Sequence, residues 1–282
     1  MGPIVYETHS HTPLCKHAVG DPEAYAAQAW ERGLRGLIIT CHNPMPDGLS
    51  SSVRMAPEEF PVYVDMVARA REAWAGRVDV RLGLETDFLP GLESWIEQLH
   101  ARAEFHYILG SVHPQIEEYR ARFFTGDWPA FHRGYYRHLA EAAETGLFDC
   151  LAHPDIVKNL GSAHWNLDAL MPDIQRALDR IAATGVAMEL NTSGLNKKVA
   201  EMNPAPAILR EMRLRGIPVV VGADAHEPGR VAADYEQAYS LLEAAGYDEV
   251  SYFLDRRRQT LPLAEARASL RPVPVHVPLQ SG

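Results

Sequence analysis

Short apolar runs rich in β-branched residues recur along this chain near residues 4–8, 36–41, 78–84, 106–112, 149–152, 185–191 and 217–223. Gly36-Leu37-Ile38-Ile39-Thr40 and Pro218-Val219-Val220-Val221 offer apolar side chains to both faces. That is the pattern of a central strand buried on both sides of a parallel sheet. The runs start roughly 28 to 43 residues apart, which leaves room for a crossover helix each time. Between them the period becomes helical. Asp21-Pro22-Glu23 supplies an N-cap residue, a proline at the first helical position and an acidic first turn, and Gly33 ends that helix. Pro57-Glu58-Glu59 opens a second, with Phe60, Val64, Val67 and Ala68 along one stripe. Further helices are expected over 92–99, 131–143, 167–183, 206–214 and 235–245. Alternation of strand and helix predicts an α/β fold with a parallel sheet.

Punctuation adds detail. Residues 43–56, NPMPDGLSSSVRMA, read as one long loop beside a functional site. The final stretch, RPVPVHVPLQSG, reads as a loosely held Pro-rich tail over 271–282. No linker divides the rest, so 1–270 is expected to be a single domain.

Composition narrows the function classes. The 282 residues are 46% apolar and carry a formal charge of −10. Nucleic-acid affinity comes largely from Lys and Arg neutralising phosphates, so no nucleic-acid partner is expected. The longest basic stretch, Arg256-Arg257-Arg258, reads as a solvated helix face. The cysteine count is three (Cys15, Cys41 and Cys150), with no CxxC. A disulfide framework is not expected, and a cytoplasmic location fits. Neither a secretory signal nor an apolar run of about 18 residues is seen, so no membrane partner is expected.

The chemistry lies at the ends of the runs. His9, His11, His17, His42, Glu85, His113, His153, Asp224 and His226 sit just past or near them. Corresponding ends of parallel strands converge, so these side chains would meet as a multinuclear metal centre. His9-Ser10-His11 has period-two spacing, which places both imidazoles on one side of an extended segment. Alone, HxH is as often a pair of surface histidines. Asp224-Ala225-His226 repeats the spacing after the seventh run, where coincidence is harder to sustain. Glu85 ends an apolar strand and would be costly to bury without positive charge around it. His113 and His153 each precede a proline, which is expected to hold them extended and aim them off the strand end. His100, His106, His132, His138, His164 and His276 lie elsewhere and read as structural or surface residues. Cys15 and Cys41 read as small buried apolar residues.

The stretches YETHSHTPLCKHAVG, LIITCHNP, GLETDF, ILGSVH, LAHPDIVK, ELNTSGLNK and VGADAH together resemble the PHP (polymerase and histidinol phosphatase) family. Within it the chain looks like the monofunctional histidinol-phosphate phosphatases of histidine biosynthesis. The resemblance implies a distorted, TIM-like (β/α)7 barrel with three divalent ions at the C-terminal strand ends. It assigns His9, His11, Glu85 and Asp224 to the first ion. Glu85, His113 and His153 would hold the second, and His17, His42 and His226 the third. Zinc, manganese and iron all suit such N/O ligands. Relatives carry an Arg after the NTSGL stretch, where this chain has Asn196 followed by Lys197 and Lys198. Lys197, Lys158, Asn191 and Ser193 are the expected substrate contacts.

The implied activity is hydrolysis of L-histidinol phosphate to L-histidinol and phosphate. A metal-bridging hydroxide would attack phosphorus, with Glu85, His113, Asp224 and His226 in the catalytic set. The alternative is a PHP phosphoesterase acting on another small phosphoester, a nucleotide or a phosphodiester. A non-catalytic metal-stabilised module is the third reading, disfavoured because three adjacent ions exceed what a fold requires.

Overall fold

The computed structural model describes residues 2–271, so the expected 271–282 tail, beyond its first residue, lies outside the described residues. Nine strands form one sheet in sequence order. They are β1 (Tyr6–Glu7), β2 (Gly36–Ile39), β3 (Asp79–Asp87), β4 (Tyr107–Ser111), β5 (Cys150–Leu151), β6 (Ala187–Asn191), β7 (Val219–Gly222), β8 (Glu249–Leu254) and β9 (Arg257–Pro262). β1 to β8 run parallel, and β9 returns antiparallel to β8. The helices are α1 (Pro22–Glu31), α2 (Phe60–Ala73), α3 (Glu93–His100), α4 (Glu117–Phe123), α5 (Trp128–Glu144), α6 (Leu167–Thr184), α7 (Pro206–Leu214), α8 (Tyr235–Ala245) and α9 (Leu263–Ser269). Their apolar faces bury residues such as Tyr63, Leu139, Ile174 and Leu209 in the main core.

The first and seventh strands meet beyond their regular ends. Ser10 and Ala225 form a parallel bridge. His11 N donates to Ala225 O at 2.9 Å, and Ala225 N donates to His9 O at 2.9 Å. The segments that carry the two period-two pairs therefore pair with each other. At the opposite end β8 lies beside β7, and Tyr252 stacks on Tyr6 of β1 at 4.9 Å.

Each of the seven expected runs contains a strand, but β1 and β5 are only two residues long. The chain leaves the ladder early there and carries histidines outward. Three details differ from expectation. The Asp21 side chain makes no capping bond, although Pro22 does open α1. Arg256-Arg257-Arg258 lies in the β8–β9 hairpin rather than on a helix: Asp255 and Arg256 form its left-handed turn, and Arg257 and Arg258 enter β9. His153 is not extended; its φ is +28°, held by its N–H donating to Glu189 Oε2 at 2.9 Å.

Candidate metal centre

Glu85 lies in β3 and is fully buried, and five imidazoles crowd its two oxygens. His42 Nδ1 is 2.8 Å from Oε2, with His9 Nε2 at 3.5 Å and His11 Nε2 at 3.7 Å. His153 Nε2 is 3.1 Å from Oε1, and His113 Nε2 is 3.4 Å. Asp224 approaches from the end of β7: its Oδ1 lies 3.1 Å from His11 Nε2 and 3.6 Å from His9 Nε2. His226 and His17 complete the group, with their Nε2 atoms 2.9 Å apart. All nine expected side chains are therefore brought into one cluster. Two compact triads stand out, His9–His11–Asp224 and His17–His42–His226.

The proton positions suit cations. Backbone carbonyls only accept hydrogen bonds. In the neutral rings His17 Nδ1 must therefore donate to Cys15 O (2.7 Å) and His226 Nδ1 to Asp224 O (3.0 Å). Their Nε2 lone pairs then face each other, an arrangement that a shared cation stabilises. His9 Nε2, His42 Nδ1 and Glu85 Oε2 are also buried without a partner in hydrogen-bonding geometry. Such a cluster of unsatisfied N and O atoms fits divalent ions. The electrostatics agree. Burial opposes charge on Glu85, yet His42, His9 and His113 outweigh it and hold the carboxyl well below its ordinary range. Burial and the neighbouring His11 push His226 down to about 3.

A supporting layer of charge, absent from the sequence reading, surrounds the cluster. Glu189 of β6 accepts from His9 Nδ1 at 2.7 Å, and Asp87 of β3 accepts from His113 Nδ1 at 2.7 Å. Each bond sets the tautomer that leaves Nε2 free to face the centre. Glu7 binds four backbone N–H groups, of Thr8, His9, Ala223 and Ala232, and so fixes both period-two segments. Arg54, at the end of the 43–56 loop, is buried and donates to Asp87 Oδ2 at 2.6 Å. Gly222 is required by this layer, since a Cβ there would strike Glu189 Oε1. Cys15 is buried in the main core as expected, and its Sγ also lies within 4.8 Å of ring nitrogens of His11 and His226.

The expected substrate contacts divide. Lys197 is exposed, and its charge helps to depress Asp224. Ser193 Oγ is 2.9 Å from Asp224 Oδ2 and so touches the cluster directly. Asn191 is turned into the supporting layer instead, donating to Glu189 Oε2 and accepting from Ser193 N, each at 3.0 Å. Lys158 is fully buried, and its ammonium already meets Asp155 Oδ2 (3.1 Å), Glu201 Oε2 (3.1 Å) and Met202 O (2.9 Å). With three donors committed, it has none for a substrate phosphate. A cavity of about 410 Å³ opens beside His17, His42 and His113, walled by the 48–54 part of the loop and by 115–118.

A family model for the PHP domain matches residues 7–193. The chain belongs to the PHP domain family. Among curated relatives of this PHP protein, a "Probable histidinol-phosphatase" of Deinococcus radiodurans is 38% identical, over 91% of this chain and 98% of that one. A "Histidinol-phosphatase" of Bacillus subtilis is 24% identical over 81% of this chain and 96% of its own length. The fold matches the crystal structure of histidinol phosphate phosphatase from Lactococcus lactis, which was solved with zinc, L-histidinol and phosphate. That match has a TM-score of 0.76 at 17% identity and covers 90% of this chain and 98% of the other. Among the described residues no helix is long and apolar enough to cross a membrane.

Proposed function

We propose that this PHP protein is a metal-dependent phosphomonoesterase that hydrolyses L-histidinol phosphate. The observation that carries the reading is the convergence of five imidazoles on the buried Glu85 carboxylate, in a chain 38% identical to a relative named for that activity. His9, His11, Glu85 and Asp224 would hold one divalent ion, Glu85, His113 and His153 a second, and His17, His42 and His226 a third. Zinc, manganese or iron held there supplies charge neutralisation for phosphate oxygens and lowers the pKa of water. The protein's own part is to orient. Glu189 and Asp87 keep His9 and His113 aimed inward, and Ser193 fixes the Asp224 carboxylate. Lys197 brings a cation to the rim, where the substrate phosphate arrives. We also read 1–270 as one barrel domain, supported by the continuous order of β1 to β9.

The test is phosphate release from L-histidinol phosphate after separate reconstitution with zinc, manganese and iron. Nucleoside monophosphates and a phosphodiester form the comparison panel. Histidinol phosphate should give the highest kcat/KM, and His9→Ala or Asp224→Ala should abolish turnover and lower bound metal. A clear preference for the diester would overturn the substrate, and full activity in a metal-free variant would overturn the mechanism.

A further inference from the structure

The cavity beside His42 and His113 is lined by two chemically different kinds of side chain. Its lining brings together His17, His42 and His113 of the candidate metal centre and two adjacent carboxylates, Glu117 and Glu118. These carboxylates are not equivalent. Glu118 is committed to the loop: its oxygens accept from Ser50 N and from Ser50 Oγ, each at 2.7 Å. Glu117, in the first turn of α4, has no hydrogen-bond or ion-pair partner among the described residues. The one guanidinium on the wall, Arg54, is neutralised by Asp87 at 2.6 Å, and its Nε remains buried without a partner. The cavity lining thus combines one carboxylate without an ion-pair partner among the described residues, Glu117, with histidines of the candidate metal centre.

A ligand matching that polarity is anionic at one end and cationic at the other. The substrate class proposed above has this form: a phosphate ester whose next carbon bears a protonated amine. We propose that Glu117 is a specificity-determining residue that accepts the ammonium group of an amino-alcohol phosphate while the phosphate faces the histidine cluster. This rests on the phosphomonoesterase reading and assigns its choice among phosphate esters to one side chain. Glu118 acts on the wall itself, holding Ser50 and with it the 48–54 loop segment.

The experiment compares L-histidinol phosphate with its desamino analogue, imidazolylpropyl phosphate, in the full-length metal-loaded protein and in Glu117→Gln. A charge-assisted hydrogen bond corresponds to about tenfold or more in binding. The kcat/KM ratio of amine to desamino substrate should therefore fall about tenfold in Glu117→Gln, chiefly through KM, and recover in part in Glu117→Asp. Calorimetric titration with L-histidinol should show a similar weakening without turnover. An unchanged ratio in Glu117→Gln overturns this inference and leaves the phosphatase reading standing. Wild-type protein that turns over neither substrate overturns that reading and this inference with it.

Discussion

His9 Nδ1 and Glu189 Oε1 lie 2.7 Å apart, with both side chains sealed from solvent. Glu189 Oε2 meanwhile accepts from His153 N and from Asn191 Nδ2. Three donors thus point at one carboxylate, and two strand ends are aimed by it. Glu189→Gln must turn an NH2 toward one of those donors. Metal affinity should fall about 10- to 100-fold while the fold persists. Competition with a chromophoric chelator measures this, and unchanged affinity would remove Glu189 from its orienting role.

Arg54 and Asp87 form a buried ion pair that also anchors the active-site loop, since Arg54 Nη1 donates to Asn43 O at 3.0 Å. Burial alone would raise the Asp87 carboxyl; Arg54 and His113 outweigh it and hold it well below the ordinary range. Arg54→Met leaves that carboxylate buried with only the His113 and Ser111 side-chain hydrogen bonds. The expected loss is about 3–5 kcal/mol. Adding Asp87→Asn should return part of it, because a neutral amide tolerates burial better. Urea unfolding of the two single variants and the double variant measures the coupling. Additive losses would show that the pair is not a unit.

How much of this was legible in the chain follows from what each residue does. The strands were readable because runs such as GLIIT and PVVV are buried on both faces, and the nine cluster residues because each follows such a run. The supporting layer was not. Glu7, Asp87 and Glu189 look like ordinary charges within or beside strands, and only the fold shows that they point inward. VAMELNTSG supplies no expected metal ligand, yet its Glu189 aims His9. A charged residue inside a two-faced apolar run was the available signal. Lys158 shows the reverse error, since a basic residue near the motif looked like a phosphate contact but is used up by Asp155 and Glu201. β9 was invisible because RRQTLP has no apolar period; its partner β8 alone makes it a strand.

Away from the centre, His138 should impose an acid limit on stability. It is buried beside Tyr119, whose hydroxyl is 2.6 Å from Nδ1, and Arg137 lies 3.3 Å from Nε2. Burial, then Arg137 and Arg122, push its pKa down to about 4. In the unfolded chain it titrates near 6.5. Below that pH the unfolded state takes up a proton that the folded state refuses, so stability falls as pH drops from about 6.5 to about 4. The full effect is on the order of 3 kcal/mol. The difference between wild-type and His138→Gln unfolding free energies, measured across pH 4 to 7, should show this slope. A pH-independent difference would mean that folding does not shift the His138 pKa.

Two lysines that look interchangeable in sequence should separate by assay. Lys197 is exposed, and its charge acts on Asp224. Lys158 is buried, and burial raises the Asp155 carboxyl that it partners. Lys197→Ala should raise KM for L-histidinol phosphate several-fold, leave the unfolding midpoint near wild type, and reduce the dependence of KM on ionic strength. Lys158→Met should do the opposite. It strands Asp155 in the core and lowers stability by about 3 kcal/mol or more. It should leave KM little changed in the fraction that remains folded. Steady-state kinetics and urea unfolding on both variants decide the matter. A KM effect from Lys158→Met without loss of stability would restore it as a substrate contact, and a silent Lys197→Ala would move phosphate recognition elsewhere in the site.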